Sequence, residues 1–213
     1  MPDNDLLYTP VWRLRQLLES REVSSLELTE TYLRRIEQLN PKLNAYLTVT
    51  GDEARAAAQD ADKRIQTGEA SRLLLGIPIS IKDLEATRGI RTTMGSLVFK
   101  DTVPDVDSVV AERVKASGAV LLGKTNTPEF GLQGTTENRL GEPCRNPWNT
   151  ERTPGGPAEA PVPPWPQGCV PSPREPTAEG PFATLAACAV FLVSSRAWAG
   201  FHEPVAWAGP LPT

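Results

Sequence analysis

The sequence predicts an α/β fold, because helical patterns alternate with short runs of β-branched and apolar residues. The run GIPISIKD, residues 76–83, has isoleucine at every second position, which is typical of a strand. A second apolar run, AVLLGK at residues 119–124, indicates a buried strand. Between the two, residues 105–115 follow a helical pattern. A strand, a helix and a strand at this spacing predict a parallel or mixed sheet.

Further helices are predicted before the first strand. The stretch VWRLRQLLES, residues 11–20, places its valine and leucine side chains on one helical face. Ser24 and Glu27 have the spacing of a capping box, so we expect a second helix to start there and to end before Pro41. The alanine-rich segment 51–68 predicts a third helix that ends near its terminal glycine.

Composition and charge exclude several classes of function. The 213 residues have a formal net charge of −4, whereas nucleic-acid binding needs a concentrated basic face. The three cysteines form no CxxC pair, so we expect no zinc site, no disulfide framework, no other metal and no cofactor. The N-terminus lacks a secretory pattern, and the longest apolar run is too short for a membrane span. We therefore expect a cytoplasmic protein with no membrane and no nucleic-acid partner.

The composition changes after Gly156. Of the 21 prolines, 12 lie in residues 157–213, and this segment contains no Lys, Asp, Asn, Ile or Tyr. Proline removes backbone donors, and no helical or strand periodicity continues there. We therefore expect two parts, with the regular α/β pattern in residues 1–156 and an aberrant, disordered C-terminal tail in residues 157–213.

Lys82 is the first candidate for chemistry, because it stands at the end of an apolar strand. The ordinary interpretation is a lysine that leaves the strand for water, and position alone favours it. The functional interpretation is a poorly hydrated lysine. Desolvation lowers the pKa of such a lysine, so that the neutral amine can act as a base.

A long polar segment from Thr125 to Gly156 is the second candidate. Its many glycines and prolines are typical of a surface loop. Glycine also allows the backbone to come close to a substrate, and Gly131 is the candidate for such a contact.

Three segments in this order resemble the amidase signature family: GIPISIKD, GAVLLGKTNTPEFG, and the stretch from RNPWN to TPGG. The resemblance covers about residues 9–156, and the family's domain is considerably longer than this chain. It implies an α/β fold with a mixed sheet flanked by helices, here incomplete. It also implies hydrolysis or transfer of amide groups through a Ser-Ser-Lys triad, whose lysine corresponds to Lys82.

Both serines of that triad are missing. The sequence PAEAPVPP follows TPGG where the family has SSGG. Pro157 therefore occupies the position expected for the bridging serine, and Pro181 occupies the position expected for the nucleophilic serine. Loss of one nucleotide after Gly156 explains this. Each original codon is then one unknown base followed by the first two bases of the present codon. Under this rule Pro157-Ala158 can be read as Ser-Ser, and EPTAEGPFATL as G-T-D-G-G-G-S-I-R-D-P. We therefore predict that the tail is out of frame.

The resemblance implies a hydrolase of carbon–nitrogen bonds with a small-molecule amide as substrate. Because only the lysine of the triad is present, we expect this chain to be inactive. Two alternatives stay open: the A subunit of a Glu-tRNA(Gln) amidotransferase, which needs partner subunits, and a non-catalytic binding fragment. A homo-oligomer is compatible with all three.

Overall fold

The computed structural model describes residues 6–68 and 72–154. The tail, with Pro157 and Pro181, lies outside the described residues, so its disorder and the division at residue 156 stay predictions. The helices are α1 (Val11–Glu19), α2 (Ser25–Leu43), α3 (Gly51–Gln66) and α4 (Val109–Ala116), and the strands are β1 (Tyr46–Val49), β2 (Pro78–Lys82) and β3 (Val120–Thr125). Short 3-10 helices occupy Leu97–Phe99 and Glu129–Gly131.

The strands form a mixed sheet in the order β1-β3-β2. The central strand β3 is antiparallel to β1 and parallel to β2. The predicted strands and the mixed sheet are therefore confirmed. The parallel pairing places Lys82 and Thr125, the last residues of their strands, opposite each other at one end of the sheet.

Helices cover both faces of the sheet, which explains why β2 is buried along nearly its whole length. On one face, α1, α2 and α3 enclose a core to which the sheet contributes Val120 and Leu122. On the other face, α4 packs Ala111 against Ile79 and Ile81. The result is a layered α/β arrangement with helices on both sides.

A β-bulge in β3 decides which face its last side chains occupy. Leu122 is the extra residue, because the next pairs of the two parallel strands are Ser80 with Gly123 and Ile81 with Lys124. Side chains alternate along a strand, so Lys124 shares the α4 face with its partner Ile81. Without the bulge, Lys124 would point to the opposite face, where Leu122 lies.

Gly123 allows β1 to lie close to β3. Its φ is 152°, and a Cβ at this position would lie 2.2 Å from the carbonyl oxygen of Thr48 and 3.0 Å from the Cα of Val49. Those atoms belong to the backbone of β1 and cannot rotate away. A side chain here would therefore push the two strands apart.

The end of α2 differs from the prediction. The helix continues to Leu43 with Pro41 in its last turn, and Asn44 then ends it with a left-handed φ of 49°. Proline so close to a helix end removes few helical hydrogen bonds. Asn40 stabilises the exit, since its Oδ1 accepts from the Tyr46 backbone N–H at 2.8 Å.

The start of α4 also differs from the prediction. The helix begins at Val109 and not at residue 105, because Ser108 is the N-cap and its Oγ accepts from the Ala111 N–H at 3.2 Å. Asp107 lies outside the helix, where its carboxylate accepts from the Arg88 N–H at 2.7 Å. That contact ties the start of α4 to the loop after β2.

Candidate active site at the carboxyl ends of the parallel strands

Lys82 is the last residue of β2, and its side chain is half-buried. Among residues 6–68 and 72–154, nothing forms a hydrogen bond or an ion pair with its ammonium group. Desolvation lowers the pKa of Lys82 below the usual 10.5. The predicted lysine thus lies in a partly dehydrated environment, and its catalytic role stays a prediction.

Ser80 lies two residues before Lys82, on the same face of β2. Its Oγ is 2.7 Å from the hydroxyl of Tyr46 on β1. Burial raises the pKa of Tyr46 to about 12, so the phenol is neutral at physiological pH. The serine that precedes the candidate lysine is therefore tied to the neighbouring part of the sheet.

Asp83, the first residue after β2, forms a buried ion pair with Lys124 of β3. Both side chains are fully buried, and Lys124 Nζ lies 3.8 Å from Asp83 Oδ1. Desolvation lowers the pKa of Lys124 to about 8 and raises the pKa of Asp83. The ammonium group also donates to the hydroxyls of Thr87 and Thr92, at 3.0 and 2.9 Å, and to the carbonyl of Glu85.

Sequence reasoning missed Lys124 and Asp83 as members of this site. It treated Lys124 only as the end of an apolar strand, because the bulge that reorients its side chain depends on pairing with β2. One local signal was present, since a lysine inside the apolar run AVLLGKT needs buried partners if the strand is buried. The threonines that supply those partners are more than 30 residues away in sequence.

Amide side chains fasten the polar loop after β3. Asn126 donates through Nδ2 to the carbonyl of Asn44 at 2.7 Å, and its Oδ1 accepts from Asn138 Nδ2 at 2.7 Å. Asn138 Nδ2 also donates to the carbonyl of Thr127 at 2.8 Å. These bonds hold the loop at the end of the sheet that carries Lys82.

Gly131 lies in this loop with a φ of 71°. A Cβ at this position would lie 2.8 Å from the Cδ1 of Leu84, which is two residues beyond Lys82. The N–H of Gly131 donates to the carbonyl of Pro128 at 2.9 Å. The fold therefore brings the two predicted site residues into one region, and substrate contact by Gly131 stays a prediction.

The segment before Gly156 returns to the same end of the sheet. The N–H of Arg145 donates to the carbonyl of Leu43 at 2.8 Å, and the N–H of Asn146 donates to the carbonyl of Arg152 at 2.9 Å. Leu43 lies three residues before Tyr46, which pairs with Thr125. The resemblance places the bridging serine shortly after this docked segment.

A groove of about 430 Å³ lies between α2 and the start of α3, with Leu33, Glu37, Val49 and Arg55 in its lining. None of its lining residues belongs to the cluster at the ends of β2 and β3. The groove is therefore separate from the candidate active site.

No helix in the described part of the chain is long and apolar enough to cross a membrane. The same part contains no group of three or more His, Cys, Asp or Glu side chains suited to a metal ion. Cys144 is a free thiol, and burial raises its pKa to about 11.

The fold and the site define the class: a layered α/β domain with a mixed sheet and a partly dehydrated lysine where a parallel strand ends. The family described as Amidase matches residues 27–158, which is more than half of the chain. The chain belongs to the amidase family, and the resemblance seen in the sequence is confirmed.

Relatives of known name agree with this assignment. The A subunit of glutamyl-tRNA(Gln) amidotransferase from Geobacter sp. (strain M21) is 44% identical over 146 residues, which are 68% of this chain and 30% of that protein. A bacterial aryl acylamidase of the amidase signature family is 35% identical with a TM-score of 0.65, over 70% of this chain and 31% of that one. Peptide amidase of Stenotrophomonas maltophilia is 31% identical with a TM-score of 0.64, over 70% of this chain and 32% of that one.

The family to which the chain belongs therefore includes a named aryl acylamidase and a named peptide amidase. The chain spans about 30% of the length of the curated relatives it matches.

Proposed function

We propose that this chain carries the first part of an amide hydrolase in which Lys82 is the base. The observation that supports this is the position of Lys82, half-buried at the end of β2 and without a partner in the described ranges. A lysine accepts a proton only as the neutral amine. The lowered pKa of Lys82 increases the fraction of that form near neutral pH.

In the proposed reaction Lys82 acts through two serines. The neutral amine takes the proton of the bridging serine expected at position 157, and this serine takes the proton of the nucleophile expected at position 181. The serine oxygen attacks the amide carbonyl, the C–N bond breaks, and the amine leaves with a proton. Water then hydrolyses the acyl-enzyme. Pro157 and Pro181 have no hydroxyl, so we propose that the chain as written does not turn over.

The extent of the family match supports a change of reading frame. The match ends at residue 158, two residues beyond Gly156, although the chain spans only 30% of its relative from Geobacter sp. (strain M21). The composition changes at the same place. We propose that one nucleotide was lost near codon 157, and the nucleotide sequence around that codon tests this directly.

Ammonia release from a small primary amide tests the proposed activity in four proteins. These are the chain as written, a chain repaired by one nucleotide at codon 157, and repaired chains with Lys82→Ala or with Lys100→Ala. Lys100 is an exposed lysine and serves as the matched control. We expect turnover by the repaired chain and by its Lys100→Ala variant only. Removal of the base should lower the rate by roughly 10²- to 10⁴-fold.

Two results would contradict the proposal. Equal rates for the written and repaired chains would remove the frameshift as a functional explanation. Full activity of the repaired Lys82→Ala variant would show that Lys82 is only a lysine at the end of a strand.

The A subunit of a Glu-tRNA(Gln) amidotransferase is the second candidate, because the Geobacter relative with 44% identity has that name. One subunit of such an enzyme should need its partner subunits for activity. Ammonia release by the purified repaired chain alone favours a free-standing amidase. Release only after co-expression with the other amidotransferase subunits favours this candidate, and amide binding without release under both conditions indicates a binding fragment. For each candidate we expect the cytoplasm as the location.

A further inference from the structure

Lys124 is a fully buried lysine that the proposed reaction does not use. Its Nζ donates to the carbonyl of Glu85, to Thr87 Oγ1 at 3.0 Å and to Thr92 Oγ1 at 2.9 Å. An ammonium group has three N–H donors and no acceptor. The site therefore offers one acceptor for each proton of the charged form.

The two hydroxyl groups around Lys124 are themselves oriented. Thr87 Oγ1 donates to the carbonyl of Glu85 at 3.0 Å, and Thr92 Oγ1 donates to the carbonyl of Ile90 at 3.1 Å. Both hydroxyl protons are thus used, and both oxygens are left to accept from Lys124. This arrangement stabilises the protonated lysine and leaves its nitrogen without a free lone pair.

Asp83 supplies the opposite charge. Its Oδ2 accepts from the Thr93 N–H at 2.9 Å and from the Thr93 hydroxyl, while its Oδ1 faces Lys124 Nζ at 3.8 Å. Oδ1 has no hydrogen-bond partner, so the ammonium group of Lys124 is the charge that it faces. The two donors at Oδ2 and this ammonium group favour the carboxylate, and the pair then has no net charge.

The pair is linked to Lys82 through the backbone. The N–H of Glu85 donates to the carbonyl of Lys82 at 3.0 Å, and the carbonyl of Glu85 accepts from Lys124. The N–H of Asp83 donates to the carbonyl of Thr125 at 3.1 Å. One buried ammonium group thus anchors the turn that begins at Lys82.

We propose that Lys124, with Asp83, is a positioning residue for Lys82: a fully buried, fully hydrogen-bonded lysine that fixes the turn after β2 and so holds the Lys82 amine in its partly dehydrated place. The proposal deepens the proposed function and rests on it for the role of Lys82. Lys124 itself does not act as a second base, because all its protons are bonded in the charged form.

Competitive acetylation of lysine amines in the full 213-residue chain, read for each lysine by mass spectrometry across a pH series, tests the proposal without any turnover. We expect Lys124 to be acetylated at least ~100-fold more slowly than exposed Lys100, because its reaction requires local unfolding. We expect Lys82 to reach half-maximal reactivity at a lower pH than Lys100. Equal reactivity of Lys124 and Lys100 would overturn the proposal.

Three variants separate positioning from plain stability. In Lys124→Met the half-maximal pH of Lys82 should rise toward the usual 10.5, because the turn is no longer anchored. The double variant Asp83→Asn/Lys124→Met removes both buried charges and should recover most of the thermal stability that Lys124→Met loses. The half-maximal pH of Lys82 acetylation should stay as high in the double variant as in Lys124→Met. Lys63→Met, at an exposed position of α3, is the matched control and should leave Lys82 unchanged.

Three outcomes would overturn the proposal. One is an unchanged pH dependence of Lys82 acetylation in folded Lys124→Met. Another is a return of the Lys82 pH dependence in the double variant to that of the unsubstituted chain. The third is loss of the folded circular-dichroism spectrum in both variants, which would make the pair a stability element only. Ammonia release by the repaired chain reports separately on the proposed function, so either idea can fail without the other.

Discussion

Two lysines lie at the ends of neighbouring parallel strands, and their surroundings differ in almost every respect. Lys82 at the end of β2 is half-buried and has no partner in the described residues. Lys124 near the end of β3 is fully buried, donates three hydrogen bonds and faces a carboxylate. Desolvation lowers the pKa of both. A lowered pKa therefore marks a dehydrated lysine, whereas its partners decide whether the lone pair is available to a substrate.

The largest stability effect is expected at Lys124. Lys124→Met leaves Asp83 charged and buried without its partner, and breaking a buried pair in this way costs about 3–5 kcal/mol. Lys82→Met breaks no hydrogen bond among the described residues and should change the free energy of unfolding by less than about 0.5 kcal/mol. Urea unfolding of the two variants measures the difference. Equal losses of unfolding free energy in the two variants would contradict the view that Lys124 is paired and Lys82 is not.

The next effect is expected at Gly123, which lies between the bulge residue Leu122 and Lys124. In Gly123→Ala the new Cβ meets the carbonyl oxygen of Thr48, so strain and strand separation should cost about 2–3 kcal/mol. Gly89→Ala is the matched control, because Gly89 also has a positive φ of 77° but has no atom within 4 Å of a new Cβ. The control should lose only about 1–2 kcal/mol, the cost of a left-handed backbone without a steric clash. A larger loss at Gly89 than at Gly123 would contradict the explanation that Gly123 allows β1 to lie close to β3.

The loss of stability at alkaline pH reports on Tyr46, whose hydroxyl contacts Ser80 on the same face of β2 as Lys82. The pKa of Tyr46 is raised from 10.0 to about 12 in the folded state, so the folded protein holds a proton that the unfolded chain releases. The stability from this group is complete below pH 10 and is lost as the pH rises toward 12. Tyr46→Phe should flatten that loss, and exposed Tyr8→Phe should not. A steep alkaline loss that persists in Tyr46→Phe would assign the effect to other groups, such as Tyr32.

The smallest effect is expected at Lys115, which is paired but partly exposed. Its Nζ lies 2.7 Å from Asp107 Oδ1, and the lysine side chain is 38% exposed. Lys115→Met should cost only about 0.5 kcal/mol, because solvent screens such pairs. This measurement separates the effect of pairing from the effect of burial. A loss as large as that of Lys124→Met would show that burial is not the decisive factor.

Local patterns were sufficient to predict much of the fold. The alternating isoleucines predicted β2 to within a residue or two of its observed range, and Ser24 capped α2 as expected, with its Oγ accepting from Glu27 N–H at 3.0 Å. Errors arose where a local rule competed with a contact. Pro41 did not end α2, and Ser108 displaced the expected start of α4.

The site was predictable only in part. Lys82 and Gly131 could be proposed from the sequence because a strand end and a glycine-rich loop are visible in it. The Asp83–Lys124 pair could not, because the β-bulge and the distant threonines are set by strand pairing and not by neighbouring residues. A buried charge network is a property of the assembled sheet.

The pH dependence of kcat/KM for ammonia release by the frame-repaired chain measures whether Lys82 works as a neutral base. The rate should be low where Lys82 is protonated and should rise with pH through an apparent pKa below 10.5. The Lys82→Ala variant should lose this rise together with its activity. A rate that stays constant from about pH 6 to pH 10, or a rise of the same shape in Lys82→Ala, would show that Lys82 is not the base.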